Sequence, residues 1–375
     1  MNRRVKFAAV AALGTLGLTA CQSGTAVTPG DDGSGPTDPT GQHDTSLACP
    51  GGELVGSGSS AQKSAMQKMI AMYTEQCAGT RIEYSSPGSG DGIKAFIAEQ
   101  VDWAGSDSAL KAEAEEGQAA SETERAAQRC GAPAWNLPMV VGPVAFAYNL
   151  DGVDDLNLTA TVLADIFNGR ITKWNDPAIA ALNEGAPLPD LTISVFFRSK
   201  ASGTTENMTT YLRAASDGAW TAEPSKDWKG KVGEGRPETA DVADAVADTK
   251  GGLSYMEWGA AQERGLGIAK LAGTELTAES VGVAVDGAEI VGTDGDLTLE
   301  LTYSDLPDGA YPAILVTYEV VCSEGLDDPA TSALLKDFLS FFASEQGQGE
   351  LEAIGYAPLP PSMIDKVEAS IAKLT

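Results

Sequence analysis

The chain has 375 residues, with 25 Lys and Arg against 53 Asp and Glu and a formal net charge of -28. A balance this acidic excludes the basic footprint that a nucleic-acid binder needs. One histidine, His43, sits in a Gly/Pro/Thr/Asp-rich stretch, so Ser-His-Asp, Cys-His and His-ligated metal chemistries have no folded imidazole to work with.

At the N-terminus, Arg3, Arg4 and Lys6 precede an apolar run from Phe7 to Ala20 that is too short to span a bilayer. Residues 1–20 therefore read as a secretory signal. The run ends Leu18-Thr19-Ala20-Cys21, which resembles the lipobox of bacterial lipoproteins, whose cysteine is lipidated and becomes the new N-terminus. Residues 21–48 hold almost no large apolar side chain, cannot bury enough surface to offset ordering, and are expected to form a flexible tether. The folded part starts near Cys49. With Cys21 set aside, Cys49, Cys77, Cys130 and Cys322 remain, an even number without C-x-x-C spacing, which predicts two disulfides in an oxidising compartment. Of three possible connectivities, Cys77–Cys130 with Cys49–Cys322 is preferred, because the second pair would tie the start of the fold to its end.

From Cys49 onward, short apolar runs alternate with amphipathic stretches, the pattern of an α/β protein. Leu54-Val55 is a strand leading into Gly56-Ser57-Gly58-Ser59-Ser60, followed by a helix with Met66, Met69, Ile70 and Tyr73 on one face. Arg81–Tyr84 is a strand, 85–90 a loop, Ile93–Gln100 a helix and Val101–Ala104 a strand that stops at Gly105-Ser106-Asp107. An Ala/Glu-rich helical stretch over 110–128 precedes two apolar strands within Leu137–Asn149, broken at Gly142-Pro143. Helices recur around Thr159–Phe167 and Ala178–Asn183. Ile193–Phe197 is a strand that runs through Arg198 to Ser202-Gly203-Thr204-Thr205 and another helix. Residues 273–310 read as hairpins with turns at Asp286-Gly287 and Asp294-Gly295. Ala313–Cys322 is a strand, and the C-terminus is helical around Leu334, Leu335, Phe338, Phe341 and Phe342.

One local arrangement occurs three times: an apolar strand, a short Gly/Ser/Thr loop, then a helix. A helix N-terminus leaves backbone N–H groups unpaired and carries about half a positive charge, so an oxyanion is stabilised there without a cationic side chain. The loops are Gly56–Ala61, Gly88–Gly92 and Ser202–Thr205. Arg198 stands at a strand end next to the third loop, and its planar guanidinium suits a tetrahedral anion. Asp107 ends a strand in the same topological position, where a carboxylate should repel an anion unless it accepts a proton that the ligand carries.

These residues resemble a family. Gly56-Ser57-Gly58-Ser59-Ser60-Ala61, Gly88-Ser89-Gly90-Asp91-Gly92-Ile93, Val101-Asp102-Trp103-Ala104-Gly105-Ser106-Asp107 and Arg198 with Ser202-Gly203-Thr204-Thr205 are similar to the phosphate-binding subunit of the bacterial phosphate ABC importer (PstS type). Supporting matches are Ile166–Asp176, Gly252-Leu253-Ser254-Tyr255, and Tyr311-Pro312 with Thr317-Tyr318, and the likeness looks closest to the Gram-positive lipoprotein branch. It implies an α/β, two-lobed periplasmic-binding-protein type II fold with the ligand cleft between lobes: residues 49–145 and 312–375 as lobe I, 146–311 as lobe II. It implies phosphate contacts at Ser60, Ala61 (backbone N–H), Ser89, Asp107 (acceptor of the phosphate proton), Arg198, Ser202, Gly203 and Thr204.

Two departures stand out. The family has an Asp two residues after the arginine, where this chain has Lys200, which leaves Arg198 less rigid or held by another carboxylate. Gly235-Arg236-Pro237-Glu238-Thr239 stands where the family commonly shows a Gly-Asn-x-Gly turn.

The resemblance implies a binder that performs no catalysis and needs no cofactor or metal. Its partners would be inorganic phosphate and the permease subunits of the importer, as a monomer reaching the membrane only through a lipid on Cys21, at the outer face of the cell membrane. Related oxyanion-binding or scaffold lipoproteins remain alternatives. A phosphoesterase is a further one, although no P-loop, H-E-x-x-H or EF-hand loop occurs in the chain.

Overall fold

The computed structural model describes residues 47–375 except 115–116, 302 and 304–305. The signal segment, Cys21, His43 and the tether up to residue 46 lie outside the described residues.

β1 (Gly52–Gly58) runs through the loop 59–62 into α1 (Lys63–Gln76), which buries Ala65, Met66, Met69 and Tyr73 along one stripe. β2 (Thr80–Ser85), α2 (Ser89–Ile97) and β3 (Trp103–Ser106) follow, and both strands pair parallel to β1. Of the helix expected over 110–128, only the part from Glu122 forms, as α3 (Glu122–Cys130). Gly117, with φ at +85°, and a capping box between Ser121 and Glu124 set that late start.

β4 (Ala134–Tyr148) is one continuous strand where two were predicted. β5 (Asn157–Leu158), α4 (Ala160–Phe167), α5 (Pro177–Ala180), β6 (Ser194–Arg198), α6 (Gly203–Ala215) and β7 (Glu234–Arg236) come next. They are followed by α7 (Thr239–Asp248), β8 (Gly252–Glu257), α8 (Trp258–Glu263), β9 (Gly267–Ile268) and β10 (Lys270–Leu271).

In place of the first expected hairpin stands α9 (Ala278–Asp286), opened by a Thr277/Ser280 capping box, so Asp286-Gly287 closes a helix instead of turning a strand. The Asp294-Gly295 turn does join an antiparallel pair, β11 (Glu289–Ile290) and β12 (Leu299–Glu300). β13 (Ile314–Cys322), α10 (Pro329–Ala343), α11 (Glu345–Gly349) and α12 (Pro361–Lys373) complete the chain.

The main sheet runs β2-β1-β3-β13-β4-β8-β6-β7, with β9 against β4. Its centre is antiparallel. β4 pairs with β13 from Ala134 to Pro143 and with β8 from Val144 to Tyr148, so the strand passes from one half of the sheet to the other at Gly142-Pro143-Val144. The Gly-Pro pair thus marks a change of partner, and sheet neighbours on both sides keep the backbone extended through it. All fifteen residues of β4 are buried. In each half the flanking strands are parallel, and their carboxyl ends open at Ser59, Asp107, Ser199 and Pro237. Ligands of open α/β sheets bind outside such carboxyl ends.

The disulfides are Cys49–Cys77 and Cys130–Cys322, a correction to the preferred pairing. Cys77 lies just before β2, whose first residue Thr80 pairs with Gly52 a short way after Cys49, and Cys322 ends the strand whose partner begins at Ala134, so the observed pairs join neighbours in space. Among the described residues no helix is long and apolar enough to cross a membrane.

Candidate functional site

Four helices of eight or more residues begin around one buried polar cluster: α1 after Ser60-Ala61-Gln62, α2 at Ser89, α6 at Gly203 and α7 at Thr239. First-turn N–H groups lie outside the helix ladder, and some find partners within the cluster: Thr239 N–H donates to Ser60 Oγ at 3.3 Å and Gly90 N–H to the Ala201 carbonyl at 3.2 Å. The polar side chains between them are almost wholly removed from solvent: Ser60, Ser89, Asp107, Arg198, Ser202, Thr204 and Thr239 are all buried.

Arg198 is the cation at the centre. It ends β6, and its Nε donates to the Pro237 carbonyl at 2.8 Å. Nη1 donates to Ser60 Oγ at 2.7 Å and, at 3.3 Å each, to Ser202 Oγ and Thr239 Oγ1. Nη2 is buried and has no partner. It points toward the start of α2, since a Cβ on Gly88 would lie 3.2 Å from it. Burial pulls the guanidinium pKa below its ordinary value, against the pull of Tyr255, Asp107, Glu238 and Asp241. The arginine is therefore held by a backbone carbonyl and hydroxyls, and not by a carboxylate. Lys200 is exposed at the surface. Both departures noted in the sequence meet here: the segment 235–239 provides Pro237 and Thr239, which hold Arg198 where an aspartate was expected to do so.

Asp107 forms the second focus. Its Oδ1 accepts from Thr317 Oγ1 at 3.0 Å, and its Oδ2 accepts from Thr204 Oγ1 at 3.1 Å and Ser89 Oγ at 3.3 Å. Asp107 N–H donates back to Ser89 Oγ. Two carboxylate oxygens offer about four acceptor positions, so three hydroxyls leave one open.

Gly203 joins the two foci. A Cβ there would stand 2.7 Å from Asp107 Cβ and 2.8 Å from Ser89 Oγ, closer than side chains pack, so only glycine lets α6 approach. Ser202 caps α6 by accepting from Thr205 N–H. Thr205 Oγ1 and Tyr255 OH lie 2.7 Å apart beneath it, and burial lifts the Tyr255 phenol to about 12.

All eight predicted residues thus lie around this cluster. Ala61 differs from the rest in one respect, because its N–H already donates to Ser59 Oγ at 3.0 Å. Thr239 and Thr317 were missed. Thr239 follows a short strand and starts a helix, the same arrangement that marked the other loops, with Glu238 and Asp241 closing a capping box. Thr317 is an interior strand residue with no local signature.

The PBP superfamily domain matches residues 32–346. The phosphate-binding protein PstS 2 of Mycobacterium tuberculosis is 40% identical over 369 residues, spanning 96% of this chain and 95% of that one. PstS 3 of the same organism is 40% identical over 380 residues, 99% of this chain and 98% of its own. PstS of Pasteurella multocida is 32% identical over 84% of this chain. Among solved structures, a phosphate-binding protein from Stenotrophomonas maltophilia superposes with a TM-score of 0.65 over 85% of this chain and 93% of that one at 19% identity, which speaks to the fold.

Proposed function

The chain belongs to the PstS family of phosphate-binding proteins, and we propose that the cluster around Arg198 and Asp107 is where it captures inorganic phosphate for an ABC importer. It is a substrate-binding protein and not an enzyme. The observation that carries the site assignment is the unpartnered, buried Arg198 Nη2, aimed among serine and threonine hydroxyls at the foot of four helices. A buried guanidinium N–H without an acceptor is costly, and an anion removes that cost.

In this reading Ser60 and Ser202 turn their hydroxyls to phosphate oxygens, Ser89 and Thr204 line the anion while their hydroxyls stay on Asp107, the N–H groups of Gly203 and Thr204 donate from the end of α6, and Arg198 donates through Nη2. Asp107 accepts the proton of monohydrogen phosphate at its open position. Sulfate carries no proton at neutral pH and would set two acceptors face to face in a water-poor site. The two halves of the sheet act as lobes closing on the anion, with residues 49–145 and 312–375 in one and 146–311 in the other. A lipid on Cys21 and the tether 21–48 would hold this monomer at the outer face of the membrane, within reach of the permease subunits.

Isothermal titration with phosphate, arsenate, sulfate and phosphite tests the assignment. Phosphate and arsenate should bind and sulfate should not. Equal binding of sulfate would refute the proton-reading role, and turnover of a chromogenic phosphate ester would favour the esterase alternative.

A further inference from the structure

The most deeply buried ion pair among the described residues lies outside the anion cluster. Lys226 Nζ sits 3.1 Å from Glu122 Oε1 and 3.0 Å from Oε2, with side chains 6% and 8% exposed. Glu122 opens α3 on the half of the sheet built from β1, β2 and β3. Lys226 belongs to the loop between α6 and β7 on the other half.

Taking both charges out of water is costly, and a buried pair of this kind gives little net stability. Its connections indicate another use. The Lys226 carbonyl accepts from Ser202 N–H at 2.9 Å, at the cap of the helix that carries Gly203 and Thr204. The aliphatic stem of Lys226 passes over Gly90, whose Cβ, if present, would lie 3.6 Å from Lys226 Cδ. Gly90 N–H in turn donates across the halves to the Ala201 carbonyl at 3.2 Å. Glu122 Oε2 is anchored by the Lys111 N–H at 3.0 Å. One lysine therefore touches two of the four helix starts around the anion cluster, those of α2 and α6, and is tied by its charge to the opposite half.

We propose that Lys226 is a positioning residue for the anion site, and that its pair with Glu122 is a clasp made only when the two halves close. The proposal rests on the reading that ligand is taken up between those halves. When they part, both ions return to water and neither is left buried alone, so the clasp weighs on the closed state and little on folding. The pairs Lys63–Glu238 and Lys111–Glu206 also cross between halves, but the first is 43% and 37% exposed and is screened accordingly, and the second, at 26% and 13%, is less buried than Lys226–Glu122.

The test compares wild type with Lys226→Met, Glu122→Gln and the double variant. Methionine retains the stem over Gly90 and removes the charge. Stopped-flow dissociation of inorganic phosphate should speed up about tenfold or more in each single variant, with the association rate changed far less. The double variant should be no worse than the poorer single one, because neither charge is then stranded. Hydrogen exchange at the Gly90 amide reads closure without any ligand and should also accelerate in Lys226→Met. Unchanged dissociation and unchanged Gly90 exchange in folded single variants would overturn the clasp. A drop in ligand-free melting temperature with neither kinetic change would make the pair merely structural. Wild type that fails to bind phosphate would sink the functional reading, and the Gly90 exchange would still decide the clasp. If Glu122→Gln does not fold, the charge-swapped pair Glu122→Lys with Lys226→Glu takes its place and should restore slow Gly90 exchange relative to Lys226→Met; exchange as fast as in Lys226→Met would count against the clasp.

Discussion

Arg198 Nη1 and Ser60 Oγ meet at 2.7 Å although 138 residues separate them, and the bond runs from the end of a strand in one half of the sheet to the loop after β1 in the other. The same guanidinium is fixed by the Pro237 carbonyl at 2.8 Å, which leaves Nη2 free for an anion. Lysine keeps the charge but loses the fork that serves these partners together. Arg198→Lys should weaken phosphate binding by about 100-fold, the worth of one or two charge-assisted hydrogen bonds. Titration calorimetry at neutral pH reads it, and affinity within a few fold of wild type would mean that the guanidinium is not the grip.

In the proposed site, selectivity is assigned to Asp107. Its acceptor capacity exceeds the three hydroxyls from Thr317, Thr204 and Ser89 by one position, the one assigned to the ligand proton. Asp107→Asn replaces an acceptor with a donor, so it should weaken phosphate and admit sulfate, and the ratio of their dissociation constants should fall by roughly 100-fold or more. Thr317→Val removes a bond on the far side of the carboxylate and should lower that ratio by about tenfold at most. A ratio unchanged in Asp107→Asn would show that the proton is read elsewhere.

Much of this site is legible before any coordinates, because strand, Gly/Ser/Thr loop and helix start are local patterns, and Ser60, Ser89, Asp107, Arg198 and Ser202–Thr204 all occur at such junctions. What escapes is set by sheet pairing. Thr317 is an ordinary β-branched residue until β13 is seen between β3 and β4, where it reaches Asp107 across a separation of 210 residues. β4 looks broken at Gly142-Pro143 because those residues disfavour a strand alone, yet β13 on one side and β8 on the other keep it extended. The helix at 278–286 was hidden by valine content and by an Asp-Gly pair that serves equally well as turn or helix end. Disulfide pairing has no local code, and closing the chain start to its end proved a weaker guide than adjacency in the sheet.

Gly203 offers a test of closure that leaves the hydrogen-bonding groups alone. An added methyl would meet Asp107 and Ser89 from the opposite half at 2.7 and 2.8 Å, while alanine is itself a strong helix former and suits the start of α6. Gly203→Ala should therefore raise the phosphate dissociation constant at least tenfold and leave the ligand-free melting temperature within about 2 °C of wild type. Full affinity in this variant would show that the halves do not need so tight an approach.

The disulfides predict an order of stabilities. Cys130–Cys322 spans 192 residues and Cys49–Cys77 spans 28. The loop-closure estimate is about 5 kcal/mol for the longer and about 3.5 kcal/mol for the shorter. Replacing Cys130 and Cys322 with alanine should lower the urea midpoint more than replacing Cys49 and Cys77. The reverse order would show that strain or residual structure outweighs chain entropy.

Glu319 gives the molecule a pH dependence of its own. It lies on β13 opposite Gly105 and Leu137, fully buried, and burial pushes its carboxyl up to about 8. Gln62 and Trp103 approach closely enough to favour the ionised form, but neither carboxyl oxygen has an aligned hydrogen bond. In the unfolded chain the group titrates near 4.5. Between those values the unfolded state has released a proton that the folded state keeps, so folding stability is full below about 4.5 and falls as pH rises, by about 1.4 kcal/mol per unit at most, until the folded group ionises near 8. Glu319→Gln removes that slope. Glu257, also raised by burial, titrates in both proteins and cancels in the comparison. Urea unfolding at pH 5 and pH 8 should show the variant gaining on wild type as pH rises. Phosphate affinity should follow, because Gln62 donates to Tyr84, and Tyr84 holds the Ser59 carbonyl under the anion loop. A negative charge arriving behind that loop repels the anion in front of it, whereas parallel pH curves for the two proteins would mean that Glu319 already shares its charge with a partner that the buried cluster does not reveal.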